Sequence, residues 1–188
     1  MSFKATIIRH QAMIESLLTL EPQVSALAKR IKTCVEQGNK VLFFGNGGSA
    51  SDAQHLAAEF VVRYYKDRRP YGAIALTTDT SILTAHSNDY DFNTVFDRQI
   101  EALGKQGDIA IGLSTSGNSG NVINGIKTAK QQGIWTCAFT GLGGGELMHV
   151  ADDCIAVPVS ETARVQEGHI LIGHWLCETL DDTDYYEV

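Results

Sequence analysis

Residues 41–60 read VLFFGNGGSASDAQHLAAEF, and this stretch sets how the rest of the chain is read. Val41–Gly45 is a short, unbroken apolar run, the form a strand takes when both faces of its sheet are covered. Gly45–Asp52 is polar and glycine-rich, and from about residue 50 to 65 the pattern is helical. Strand, glycine loop, helix is the opening of an α/β unit, and the pattern recurs. Further apolar runs stand at Ala73–Leu76, Ile109–Leu113, Trp135–Phe139 and Cys154–Val157, separated by segments long enough for crossover helices at about 80–103, 119–132 and 143–150. A last helical segment spans Ala163–Leu180. Ahead of the first strand, residues 3–20 place Ile7, Ile8, Met13, Ile14, Leu17 and Leu18 at helical spacing. A second helix opens with Pro22, where a missing N–H costs least, and runs to Gln37 before Gly38 stops it. The expectation is one α/β domain over 1–188, a doubly wound five-stranded parallel sheet flanked by helices. Residues 1–37 form the N-terminal helices, and 40–180 the core and C-terminal helix.

Composition narrows the function. The 188 residues carry a net charge of −7, with 44% hydrophobic and 20% charged side chains, ordinary globular values. Residues 1–145 hold 14 basic and 12 acidic side chains, whereas 146–188 hold one basic and ten acidic. The acidity belongs to the C-terminal segment, read as a solvated end, and the body is nearly neutral. Nothing resembles the basic face of a nucleic-acid binder. Cys34, Cys137, Cys154 and Cys177 are far apart in apolar settings, so buried free thiols are expected. The N-terminus has neither the apolar core and cleavage pattern of a signal peptide nor the length of a membrane span. A cytoplasmic protein is expected, with no nucleic acid or membrane as partner.

In open α/β sheets, ligands bind beyond the carboxyl ends of the strands. Two loops stand there. Gly45–Asp52 (GNGGSASD) lets a backbone approach a ligand and presents a helix N-terminus to an anion. It lacks the Lys-Ser/Thr pair of a nucleotide-binding P-loop. As a dinucleotide fingerprint its third glycine position is Ala50; a tight turn with an Asp or Ser cap is the plainer alternative. Ser114-Thr115-Ser116-Gly117-Asn118-Ser119 offers four hydroxyls, where a helix cap needs only one. Two hydroxyl-rich loops without a lysine point to a phosphorylated small molecule rather than a nucleoside triphosphate.

His55 and Glu59 are four residues apart on the first crossover helix and share a face. Such a pair can ligate a divalent metal or work as orienter and base, although surface helix pairs have the same spacing. On the last helix, His174 sits among Ile172, Gly173 and Trp175, a setting that lowers its pKa. His169 reads as a satisfied helix histidine, and His10, His86 and His149 as surface or structural. The basic run Arg63, Lys66, Arg68 and Arg69 reads as a solvated helix end, or alternatively as a phosphate or subunit contact.

Taken together, GNGGSASDAQHLAAEF, AIALTTDTSILTAHSNDYDF, IGLSTSGNSGNV, FTGLGGGEL and TARVQEGHILIGH resemble the sugar isomerase (SIS) domain family and its phosphoheptose isomerases. They stand in family order over about residues 40–180. The resemblance implies a flavodoxin-like sheet and conversion of sedoheptulose 7-phosphate to glycero-manno-heptose 7-phosphate for surface polysaccharides such as lipopolysaccharide. It implies sugar contacts from Asn46, Gly47, Gly48, Glu59, Asn88, Asp89 and Gln166, and a phosphate held by Ser114, Thr115, Ser116 and Ser119. It implies zinc at His55, Glu59, Gln166 and His174, a catalytic pair of Glu59 and His174, and a homotetramer with sites at subunit interfaces. An aldose–ketose isomerase moves a proton between C1 and C2 through an enediol, which needs a base, an acid and an oxyanion stabiliser.

Two points stand against a simple transfer. Gln166 and His174 are separated by a rise of about 12 Å on a straight helix. Gln166 therefore stretches to the metal, reaches a neighbouring subunit, or binds substrate alone. Gly168 and Gly173 each cost the helix about 1 kcal/mol relative to Ala, which close packing against another helix would offset, an arrangement that fits an oligomer interface. The alternatives to an isomerase are a non-catalytic relative of the kind that associates with the replication initiator, and a sugar-phosphate sensor. The presence of both Glu59 and His174 favours the enzyme.

Overall fold

The computed structural model describes residues 2–181. Five strands, β1 (Lys40–Gly45), β2 (Gly72–Ala75), β3 (Ile109–Ser114), β4 (Trp135–Thr140) and β5 (Asp153–Ala156), form one parallel sheet in the order β2-β1-β3-β4-β5. Each expected strand is present, and the doubly wound sheet with flanking helices is borne out. The apolar runs are continuous because both faces are covered. Val41, Phe43, Ile109, Ile111, Leu113 and Phe139 pack into one core layer, while Leu42, Phe44, Ala110 and Ala138 pack into the other. Burying one such aromatic side chain contributes about 2–3 kcal/mol.

The first layer is covered by α1 (Phe3–Ser16), α2 (Glu21–Glu36), α3 (Gly48–Val61) and α8 (Thr162–Glu178). The second is covered by α5 (Val95–Leu103) and α6 (Gly120–Gln131), with α4 (Thr80–Asp89) and the short α7 (Leu147–Val150) beside them. Three expected helices are shorter than the periodicity implied. The 3–20 helix ends at Ser16, whose Oγ donates to the Met13 carbonyl at 2.6 Å, and continues as a 3₁₀ turn over Leu17–Leu20. The 80–103 segment is two helices broken at Tyr90. Asp79 caps the first, and Asp91 accepts from the Asn93 N–H to start a 3₁₀ turn before α5. The helix stops at Asn88-Asp89, residue types that favour caps and turns over helix interiors. Within 143–150 only Leu147–Val150 is helical, since Gly143, Gly144 and Gly145 all have positive φ.

The strand order reverses between β1 and β3, so connections leave the sheet in opposite directions there. That switch point is where an open sheet forms its crevice. The two phosphate-type loops follow β1 and β3 directly, so topology alone brings them side by side. All four cysteines are buried and free. Among the described residues no helix is long and apolar enough to cross a membrane.

Candidate active site

The β1 loop is held open by backbone geometry. Gly47 has φ +54°, ψ −121° and serves as N-cap of α3 without a side-chain cap, and Gly47 and Gly48 are exposed. The Asp or Ser cap of the plainer alternative is absent, and the Ser49 and Ala50 N–H groups bond back to the Asn46 and Gly47 carbonyls, both at 3.0 Å. Asn46 is fixed by a reciprocal amide pair. Its Nδ2 donates to Asn121 Oδ1 at 2.8 Å, and Asn121 Nδ2 donates back to Asn46 Oδ1 at 2.9 Å. Asn121, on the first turn of α6 and 3% exposed, is a site residue that the sequence reading missed. Its only signal is its place two residues past Ser119.

The β3 loop converges its hydroxyls. Ser114 Oγ lies 2.9 Å from Ser119 Oγ and 3.5 Å from Ser116 Oγ. Ser119 is the N-cap of α6 yet makes no side-chain cap bond, so its hydroxyl is not consumed by capping. The loop's carbonyls are taken from behind: Gly141 N–H donates to Thr115 O and Leu147 N–H to Gly117 O, both at 3.0 Å. Gly117, with φ +68°, is needed for this bracing because a Cβ there would stand 2.0 Å from the Gly144 carbonyl oxygen. With carbonyls turned away and hydroxyls plus the α6 N-terminus turned in, the loop suits a dianion without a fixed cation.

The acid–base candidates come from α3 and α8, which lie side by side. Gly173 makes this possible, since a Cβ would approach Leu56 to 2.5 Å. The missing side chain is used in the close packing against another helix that was expected, and that helix is α3 of the same chain. Gly168 is similar, facing Val157 at 3.0 Å and Met13 at 3.4 Å. The close approach places His55 Nε2 2.8 Å from His174 Nε2 and 3.6 Å from Glu59 Oε1. Burial lowers the His174 pKa and His55 lowers it further, against the opposing pull of Glu59 and Glu178. The net direction favours the neutral imidazole. Asp52, one turn into α3, has a buried Oδ2 with no partner, and burial raises its carboxyl against the influence of His55.

Gln166 lies elsewhere along the same seam. A Cβ on Gly48 would stand 2.2 Å from its Nε2, so Gln166 lies across the β1 loop of its own chain, about two helical turns from His174. His55, Glu59 and His174 are thus brought together, with Gln166 at the β1-loop end. Asn88 and Asp89 end α4, exposed and bonded to each other at 2.8 Å, and no described contact ties them to either loop. His10 is not without a partner: its Nδ1 is 2.7 Å from Glu167. His169 is only half satisfied, with Nε2 3.0 Å from the Thr140 carbonyl and Nδ1 buried without a partner. His86 is buried, with Nε2 2.9 Å from Thr94 Oγ1 and its ring stacked on Tyr90.

Two imidazole nitrogens 2.8 Å apart, with a carboxylate oxygen 3.6 Å from one of them, are donor types that zinc takes. Among the described residues no three His, Cys, Asp or Glu groups already stand at metal-binding spacing. The two nitrogens are at hydrogen-bond separation, and a tetrahedral ion with Zn–N of about 2.0–2.1 Å would space them about 3.3 Å apart. An opening of about half an ångström would bring the two histidine nitrogens to that spacing.

Comparison with known proteins agrees with this architecture. Residues 8–141 match the model of the SIS domain. A phosphoheptose isomerase of Aquifex aeolicus (strain VF5) is 58% identical over 160 residues, covering 85% of this chain and 84% of that protein. Two solved phosphoheptose isomerases superpose over 96% of this chain and 99% of their own, from Neisseria gonorrhoeae at 40% identity (TM-score 0.86) and Francisella tularensis at 34% (TM-score 0.87).

Proposed function

The chain belongs to the SIS domain family and, within it, to the phosphoheptose isomerases, and from that premise we propose that it converts sedoheptulose 7-phosphate to D-glycero-D-manno-heptose 7-phosphate through an enediol. The observation that carries the reading is the grouping of Glu59 and His174 around His55 on the α3–α8 seam, with α3 opening from the β1 loop at the β1/β3 switch point. Ser114, Thr115, Ser116, Ser119 and the α6 N-terminus hold the phosphate. Asn46, Gly47, Gly48 and Gln166 take the sugar hydroxyls. Glu59 and His174 share the proton work between C1 and C2; a positioned acid or base of this kind contributes typically about 10²–10⁴-fold.

Zinc is the proposed cofactor, held by His55, Glu59 and His174, with Gln166 about two helical turns along α8 toward the β1 loop. When bound it would polarise the carbonyl oxygen. The exposed apolar side chains Phe3, Leu18 and Val62, at 79%, 73% and 68% exposure, support a homotetramer. In it, the exposed Asn88 and Asp89 would serve a site shared between subunits. Buried free thiols support a cytoplasmic setting, where the product would supply heptose for a surface polysaccharide such as lipopolysaccharide.

The test is incubation with sedoheptulose 7-phosphate, following aldose formation after chelation and after zinc is restored. Aldose formation that chelator suppresses and zinc restores supports both parts. Binding without aldose formation points to the sensor or non-catalytic alternative.

A further inference from the structure

The segment just beyond α3 contains the basic run that reads in sequence as a solvated helix end. The structure gives it a different part. Arg68 and Asp181 pair at 2.7 Å with side chains only 9% and 3% exposed. Asp181 Oδ2 also accepts the backbone N–H of Tyr65 at 2.5 Å and of Lys66 at 2.9 Å. Arg68 spends its other donors on the last carbonyls of α3, donating to Glu59 O at 2.8 Å and Phe60 O at 3.0 Å. Burial works against the Asp181 carboxylate, but the two N–H donors and Arg68 outweigh it and hold its pKa below the usual range. So Asp181, a member of the C-terminal acidic stretch, is not part of a solvated end.

This cluster contacts Glu59 directly and reaches His174 through Tyr64. On one side Arg68 grips the carbonyl of Glu59 itself. On the other, the bonds to Tyr65 and Lys66 fix the backbone that carries Tyr64, whose ring lies 5.4 Å from the His174 ring at an angle of 31°. Asp181 begins three residues past the end of α8, so the same carboxylate ties the end of the His174 helix to the end of the Glu59 helix. A buried, multiply bonded ion pair is costly to break, because removing one partner leaves the other charge uncompensated. Its geometric precision matters because a misplacement of about 1 Å can cost about 10²-fold in rate.

We propose that Arg68 and Asp181 form a clamp that sets the spacing of Glu59 and His174, acting as positioning residues for the isomerisation and not as contacts to substrate. The inference rests on the function proposed above, and its test is built to separate the two. Asp181→Asn and Arg68→Gln are each compared with the intact protein for kcat, KM and the ring ¹⁵N shifts of His55 and His174, with circular dichroism to confirm folding. Asp181→Asn keeps the shape while losing the charge; Arg68→Gln keeps a donor for the α3 carbonyls and serves if the first variant does not fold. The expected result is a fall in kcat of about 10–100-fold, KM within threefold, and displaced histidine ring shifts. Unchanged kcat and ring shifts in a folded variant overturn the clamp, as does a loss confined to KM. If the intact protein forms no aldose, the proposed function fails; the ring shifts still decide whether the clamp positions the histidines.

Discussion

Replacing Asn121 by Asp tests how the β1 loop is held for substrate. The two side chains are nearly the same shape, so packing on the first turn of α6 is preserved. The hydrogen bonds are not. At present each amide donates once and accepts once, at 2.8 and 2.9 Å. A carboxylate at 121 still accepts from Asn46 Nδ2, but it cannot donate to Asn46 Oδ1 and sets two oxygens face to face. One lost bond costs about 0.5–1.5 kcal/mol, and an unsatisfied buried acceptor raises this toward 1–3 kcal/mol; the expected loss of stability is about 2 kcal/mol. Asn46 then loses its fixed aim into the crevice, and about 1.4 kcal/mol of misdirected sugar binding corresponds to a tenfold rise in KM. Urea unfolding gives the first number and initial-rate kinetics the second, with kcat changing less than KM. A variant with the unfolding midpoint and KM of the parent would refute the idea that this amide pair shapes the loop.

Gly48→Ala places a Cβ against Gln166 Nε2 at 2.2 Å. Because the tip of Gln166 is flexible, thermal stability should change by less than about 1 kcal/mol, while KM rises as the glutamine swings off the loop; an unchanged KM would separate Gln166 from sugar binding. His169 supplies a pH prediction. Burial, partly opposed by the bond to Thr140, lowers its pKa from 6.5 to about 4. The unfolded chain therefore takes up this proton first, and stability falls as pH drops below 6.5 until the folded form titrates near 4. Between pH 7 and 5 the loss from this group is about 2 kcal/mol, measurable by urea unfolding at the two values, and a His169→Gln variant should lack that component.

The sheet was legible because a parallel strand buried on both faces must be apolar at every position, and five such runs stand in the chain. The breaks at Tyr90 and Ser16 were not, because hydrophobic spacing continues across them, while the local bonds found there, Asp91 accepting from the Asn93 N–H and Ser16 donating to the Met13 carbonyl, leave no mark on that spacing. At the site, sequence spacing paired His55 with Glu59 on one helix. Bringing His174 to His55 depends on α8 lying against α3, which is a packing fact carried by Gly173 and Leu56. The parts that escaped were tertiary in origin. Asn121 looks like any polar residue near a helix start until its amide faces Asn46. Arg68 and Asp181 lie in oppositely charged runs 113 residues apart, and only the fold shows that they neutralise each other.

The account stands on Glu59 and His174 moving the proton between C1 and C2. The direct measurement is the rate at which the aldose anomeric proton appears by ¹H NMR when sedoheptulose 7-phosphate meets the intact protein, Glu59→Gln and His174→Ala, each confirmed folded and able to bind the sugar phosphate. The account predicts aldose from the intact protein and rates lower by about 10²–10⁴-fold in both variants. Aldose formation at the parent rate in either variant would contradict it.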